Sequence, residues 1–195
     1  MSKKTGHFWL DFFACFLIPA YTLLFAGSVE WFGTNFSVIA VTGPDHYRGF
    51  IYWGVLAGGY FLVLLNALAA TLPQPGARLT VRVLTAAALL SLAYAVAIPY
   101  LPAYFPKYAA LHVALAAEAC VLLMLALLLV ILFHRQTDPD RWRRPFLVWK
   151  LIVLGCAVIF LIPQMVTTAL EVFFTISAAL LARRIWLLLN TDKYL

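Results

Sequence analysis

Long apolar runs broken by short polar gaps organise this chain, at about 8–27, 49–72, 80–101, 109–134, 146–163 and 165–188. A helix needs about 20 mainly apolar residues to cross the hydrocarbon of a bilayer, so each run predicts one spanning helix. The gaps carry turn chemistry. Pro73-Gln74-Pro75-Gly76 closes the second run, Pro99, Pro102 and Pro106 bracket the exit from the third, and Asp138-Pro139-Asp140 separates the fourth from the fifth. Only Pro163-Gln164 divides the last two runs. A double-length run cannot cross a bilayer once, so they must form a hairpin. Short connections predict antiparallel neighbours in an up-and-down bundle. The exception is Ser28 to Arg48, a long segment bearing Trp31, Phe32, Asn35, Phe36, His46 and Tyr47. Aromatic rings favour the headgroup level, so it is expected to lie on the membrane surface or fold over the helix ends. The expected fold is all-α: one polytopic transmembrane domain over residues 1–195, a six-helix bundle with this long segment between its first two spans.

Charge adds orientation. Lys3 and Lys4, then Arg78 and Arg82, then Arg135, Arg141, Arg143, Arg144 and Lys150, then Arg183, Arg184 and Lys193 fall on one side of the alternation, leaving only Arg48 and Lys107 on the other. Cytoplasmic segments are enriched in Lys and Arg, which predicts N-in and C-in, with the long segment outside. The first run resembles a secretory signal in its basic start, but Asp11 and its near-spanning length favour a retained helix. With 65% apolar and 11% charged residues, the chain cannot present an ordinary water-facing surface. The net charge of +6 comes from cations flanking the runs, so no nucleic-acid partner is expected. Membrane lipids are expected partners, together with a second copy or another membrane protein. The expected location is a prokaryotic cytoplasmic (inner) membrane.

Cys15, Cys120 and Cys156 lie inside apolar runs without a CxxC pair and read as apolar filler. P-loop, GxGxxG and GxSxG signatures are absent, which argues against soluble-type catalysis.

Polar residues within the runs carry the chemistry. An ionisable side chain near the bilayer centre costs about 2.5–3.5 kcal/mol on insertion scales, so it usually faces the bundle interior or a wet cavity. Glu118 lies near mid-depth of the fourth run, and His112 nearer its start. Six positions separate them by about 120° around a helix, so they are expected to flank one cavity. In the sixth run Gln164, Thr168, Glu171 and Thr175 recur at helical spacing, with Thr167 adjacent. Together with Asp45 and His46 of the long segment, His112, Glu118, Gln164, Thr168 and Glu171 define an expected outward-facing polar pocket. It suits binding or movement of a lipid-like or small amphiphilic molecule, or a role as a membrane partner in a larger complex. The alternative is a lipid hydrolase using a divalent metal such as zinc on His112, Glu118 and Glu171. Neither HxxxH nor HExxH spacing supports it, so no cofactor is expected by default.

On the other side, Asp11 and Lys150 are expected at similar shallow depths as a structural ion pair, with Asn66 near the same level. His134 ends the fourth run and His7 is interfacial. Gly54 and Gly58, and Ala110 and Ala114, form small-residue faces suited to close helix packing. Asn35-Phe36-Ser37 fits a glycosylation pattern on the expected outer side.

The Trp31-Phe32-Gly33-Thr34-Asn35-Phe36-Ser37 segment, Leu111-His112 and the Arg183-Arg184-Ile185-Trp186 end resemble small six-span membrane families of prokaryotes that have no assigned activity. His112 with an outer carboxylate cluster is also loosely similar to the intramembrane hydrolases related to alkaline ceramidase. Those families place several histidines on their membrane helices, and here only His112 fits.

Overall fold

The computed structural model describes residues 3–27 and 29–191. Ser28 and Lys193 fall outside the described residues, as do the side chains of Lys3, Lys4 and His7. The first helix, α1 (3–26), runs through an α-helical segment Lys3–Phe12, one π-helical turn Phe13–Leu17 and a second α-helical segment Ile18–Ala26. It is followed by α2 (Phe36–Ala40), α3 (Pro44–Ala70), α4 (Pro75–Ala97), α5 (Pro106–Thr137), α6 (Pro139–Leu161) and α7 (Thr168–Thr191). Six helices, all but α2, are long and apolar enough to cross a membrane. Their outward faces carry large apolar side chains, with Leu24 80% and Leu154 59% exposed. Such surfaces belong in lipid, and the chain is an integral membrane protein.

The helices outrun the apolar runs. Apolarity marks only the lipid-immersed length, whereas the backbone stays helical into the polar flanks. Thus α3 begins at Pro44 rather than near 49, drawing Asp45, His46 and Arg48 out of the expected loop. Likewise α6 begins at Pro139 rather than near 146. In α3, α4, α5 and α6 a proline occupies the first turn, where its missing N–H has no intrahelical role and its fixed φ suits the helix. The end of α4 comes earlier than expected. Ile98 precedes Pro99 and is extended (φ −91°, ψ 111°), since the proline ring disfavours helical geometry in the residue before it.

Consecutive spans pack side by side, and α7 closes the bundle against α1 and α3. The main core is filled by Leu64, Leu65, Leu68, Leu127, Val130 and Ile185. Glycines set two close approaches: a Cβ added at Gly54 would lie 3.1 Å from Val96, and one at Gly155 would lie 2.7 Å from Phe173. Alanine at Gly155 would require the Phe173 ring to shift.

Hydrogen bonds identify which helix ends share a face. Trp53 of α3 donates to Thr22 near the end of α1 (3.2 Å), and Tyr47 donates to the carbonyl of Val96 at the end of α4 (3.2 Å). This is the lid end, covered by residues 29–42. At the opposite, basic end Asp11 accepts from Arg183 (2.6 Å), and the Arg141 guanidinium donates to the Leu188 carbonyl. The start of α1 and the end of α7 therefore emerge together.

Candidate functional site

The lid is bonded to the bundle through backbone groups that helix ends leave open. The first N–H groups of a helix have no intrahelical acceptor. At α7, Thr168 N–H donates to Thr34 O (2.7 Å) and Ala169 N–H to Trp31 O (3.0 Å), while Leu170 N–H donates to the Thr167 hydroxyl (3.2 Å). The short α2 is capped in turn: Asn35 Oδ1 accepts from Val38 N–H (3.0 Å), and Glu171 Oε2 accepts from Phe36 N–H (2.6 Å). The Glu171 side chain thereby supplies the acceptor that an N–H in the first turn of a helix lacks. Asn35 Nδ2 adds a bond to Val166 O (3.4 Å). Two adjacent elements, α2 and α7, thus start where each supplies what the other lacks.

Beneath the lid Phe36, fully buried, sits edge-on to Phe25 and Trp53, with ring centroids 5.1 Å away in each case. Phe50 stacks on Trp53 at 5.7 Å. This aromatic cluster packs the underside of the lid against α1 and α3.

Next to it lies a buried polar pair. The Ser37 hydroxyl is 2.6 Å from His112 Nε2, and His112 Nδ1 is 2.8 Å from the carbonyl of Ile98. Ile98 can present its carbonyl because the chain leaves α4 there. A carbonyl only accepts, so Nδ1 carries the hydrogen, and Nε2 is left with its lone pair toward the Ser37 hydroxyl. Beside the pair, Ala97, Ile98, Pro99, Leu101, Phe105 and Tyr108 line an open apolar groove of about 300 Å³. A narrower crevice lined by Ser37, His112, Tyr47, Phe50 and Tyr100 shares Ile98 and Pro99 with that groove.

Of the residues singled out from the sequence, His112, Thr168 and Glu171 meet the lid. The others do not. Gln164 is exposed in the α6–α7 turn, in a left-handed conformation (φ 54°). Asp45 pairs with Arg48 at the surface (3.3 Å), and His46 bonds the Thr42 hydroxyl (2.5 Å), also at the surface. Glu118 is exposed on the outward face of α5, whereas His112 is buried on the inward face. The angle between them therefore separates them instead of framing one cavity. His112, Glu118 and Glu171 form no joint donor set, and among the described residues no group of three or more His, Cys, Asp or Glu is placed to hold a metal ion. At the basic end Asp11 takes Arg183, not Lys150, because Arg183 comes from α7, which packs directly on α1. Lys150 instead lies over the Phe146 ring at 5.0 Å. Asn66 donates to Leu62 of its own helix (2.9 Å).

In the sequence Ser37 stands out only within a glycosylation pattern, and Thr34 only within the aromatic segment, with nothing to point to these contacts. Their partners lie on helices remote in sequence, and α2 is too short for periodicity. Compared with protein-family models, curated proteins and solved structures, the chain matches none.

Proposed function

We propose that the chain resides in a prokaryotic inner membrane with both termini cytoplasmic, and binds a lipid-like amphiphile at the outer, lid-covered end. The orientation follows from the basic flanks, which leave only Arg48 and Lys107 at the lid end. One observation carries the binding reading: the apolar groove beside the lid, at the helix ends where headgroup and acyl chain meet, rimmed by exposed Phe105 and Tyr108. Binding fits better than passage, since Leu64, Leu65, Leu127 and Val130 fill the bundle core. The metal-dependent alternative lacks a gathered donor set.

A photoactivatable fatty acid incubated with the purified protein should label the 97–108 stretch. Leu101→Trp, which fills the groove, should reduce that label at least severalfold. Equal labelling of parent and variant would remove the groove from the binding reading.

A second reading, service as a membrane partner, is favoured by Glu118. It stands exposed on α5 among exposed Ala110, Ala114, Ala117 and Val121, at a depth where an unpaired carboxylate is costly. Small residues there allow another helix to approach closely. A photocrosslinker at Val121 should yield an adduct in membranes that disappears in Glu118→Leu. An adduct indifferent to that change would leave Glu118 without a part in it.

A further inference from the structure

We propose that Arg135 and Lys150, gathered at the Phe146 ring, bind the phosphodiester of an anionic phospholipid at the basic end of the bundle. The site lies across the membrane from the groove beside the lid and does not depend on it.

Two helices bring the cations together. Arg135 comes from the last turn of α5, and its guanidinium carbon lies 4.6 Å from the Phe146 ring centroid. Lys150 comes from α6, with its ammonium 5.0 Å from the same centroid. Lys150 stands halfway along α6 on an exposed face, whereas Phe146 is one turn nearer the basic end. The lysine chain therefore reaches back toward the headgroups, as a lysine within a span does to lift its charge out of hydrocarbon. The ring is held in place: Phe146 stacks on Trp149 at 6.4 Å, and Trp149 donates to Met124 O of α5 (3.0 Å).

The pair lacks a counter-charge. A ring face attracts a cation through its quadrupole but carries no net charge, and it leaves the N–H donors of both groups open. The acidic side chains of this end are engaged elsewhere, Asp11 with Arg183 and Asp138 with the N–H of Arg141, while Asp140 is exposed in the first turn of α6. Among the described residues no carboxylate pairs with Arg135 or Lys150. Two like charges beside hydrocarbon repel strongly. An anion with several acceptor oxygens removes that repulsion, and a phosphate matches the planar fork of a guanidinium.

The surface that continues from the pair suits a phosphate carrying acyl chains. Leu147, Leu154, Val158 and Leu161 share the Lys150 face of α6 at helical spacing, and all four are exposed. That stripe runs from the pair toward the lid end, the direction an acyl chain takes from a headgroup held at the basic end. Arg143 lies on the same face, two turns nearer the end than Lys150, where it meets the outer part of a headgroup. A free phosphate ion would have no use for the stripe.

The test uses the full chain in nanodiscs of an equal mixture of phosphatidylglycerol and phosphatidylcholine, then weighs the released protein with the lipid it retains. The parent should retain phosphatidylglycerol in preference to phosphatidylcholine. Arg135→Gln and Lys150→Gln should each lower that retention about fivefold, the scale of one cation near an anionic surface. Lys150→Arg should keep it. Arg82→Gln removes an exposed cation of α4 at the same end and should leave retention unchanged. No preference in the parent overturns the proposal. So does a loss in Arg82→Gln equal to that in Lys150→Gln, since net charge alone would then attract the lipid. Excess inorganic phosphate should fail to displace the lipid, and displacement would make the site one for free phosphate and overturn the lipid assignment. Thermal unfolding in the same nanodiscs checks that each variant is folded. If Arg135→Gln is not, Lys150→Glu at its exposed position decides, and retention at the parental level overturns the proposal.

Discussion

The two ends of the bundle satisfy their helix termini with different partners: mainly neutral groups under aromatic cover at one, charged side chains at the other. At the lid end the open amides of α2 and α7 are taken up by neutral carbonyls, a hydroxyl and the Glu171 side chain beneath a cover of aromatic rings, while the Val96 carbonyl at the end of α4 accepts from Tyr47. At the basic end cations reach open carbonyls, Arg78 donating to Leu72 O (2.5 Å) and Arg141 to Leu188 O, while Asp138 caps α6 by accepting from the Arg141 N–H (3.1 Å). Cations are favourable at helix carboxyl ends, as acceptors are at amino ends. Phe36 and Thr168 under the lid are fully buried, whereas the basic end is wetter, with Asp11 41% exposed in its side chain. The same kind of bond should therefore matter more under the lid.

The widest separation between the ends comes from Phe36→Ala, which empties the centre of the aromatic cluster. Losses for buried Phe are about 3–5 kcal/mol. Unfolding in mixed micelles should show that loss, and a change under about 1 kcal/mol would mean the lid contributes little to the bundle. Glu171→Ala comes next. It leaves Phe36 N–H without its acceptor, for a loss of about 1–3 kcal/mol, and amide exchange at Phe36 should accelerate. Protection as in the parent would mean another group takes the bond. Asp11→Asn has the smallest expected effect, about 0.5 kcal/mol, because water and ions screen a half-exposed pair. A loss there equal to that of Glu171→Ala would erase the contrast between the ends.

Much of the architecture is legible in the sequence because lipid imposes a length and an apolarity on each span. Each of the six runs contains or overlaps a spanning helix. The helix starts are less legible: Pro44 and Pro139 open helices within stretches that read as polar linkers, since apolarity does not report where backbone bonding begins. The site divides similarly. Thr168 and Glu171 reach the lid from the same side of α7, as their spacing implies. In α5 the angle from His112 to Glu118 was readable, but not which residue faces inward. That helix is apolar nearly all round, and a surface of Ala110, Ala114 and Ala117 suits lipid and helix contact equally. Asp11 was expected to find a cation at its own depth. Lys150 was the cation expected there, and the packing of α7 on α1 supplies Arg183 instead.

The π-helical turn Phe13–Leu17 gives α1 one residue more than its path needs. That makes the stretch a built-in slack point. Deleting a single residue within 13–17 lets the turn relax to ordinary α geometry, with Asp11 still facing Arg183 below it and Thr22 still facing Trp53 above. The same deletion in the middle of α3 would rotate half of that helix by about 100° against its neighbours. Tolerance to single-residue loss is thus concentrated in a five-residue window of the first span.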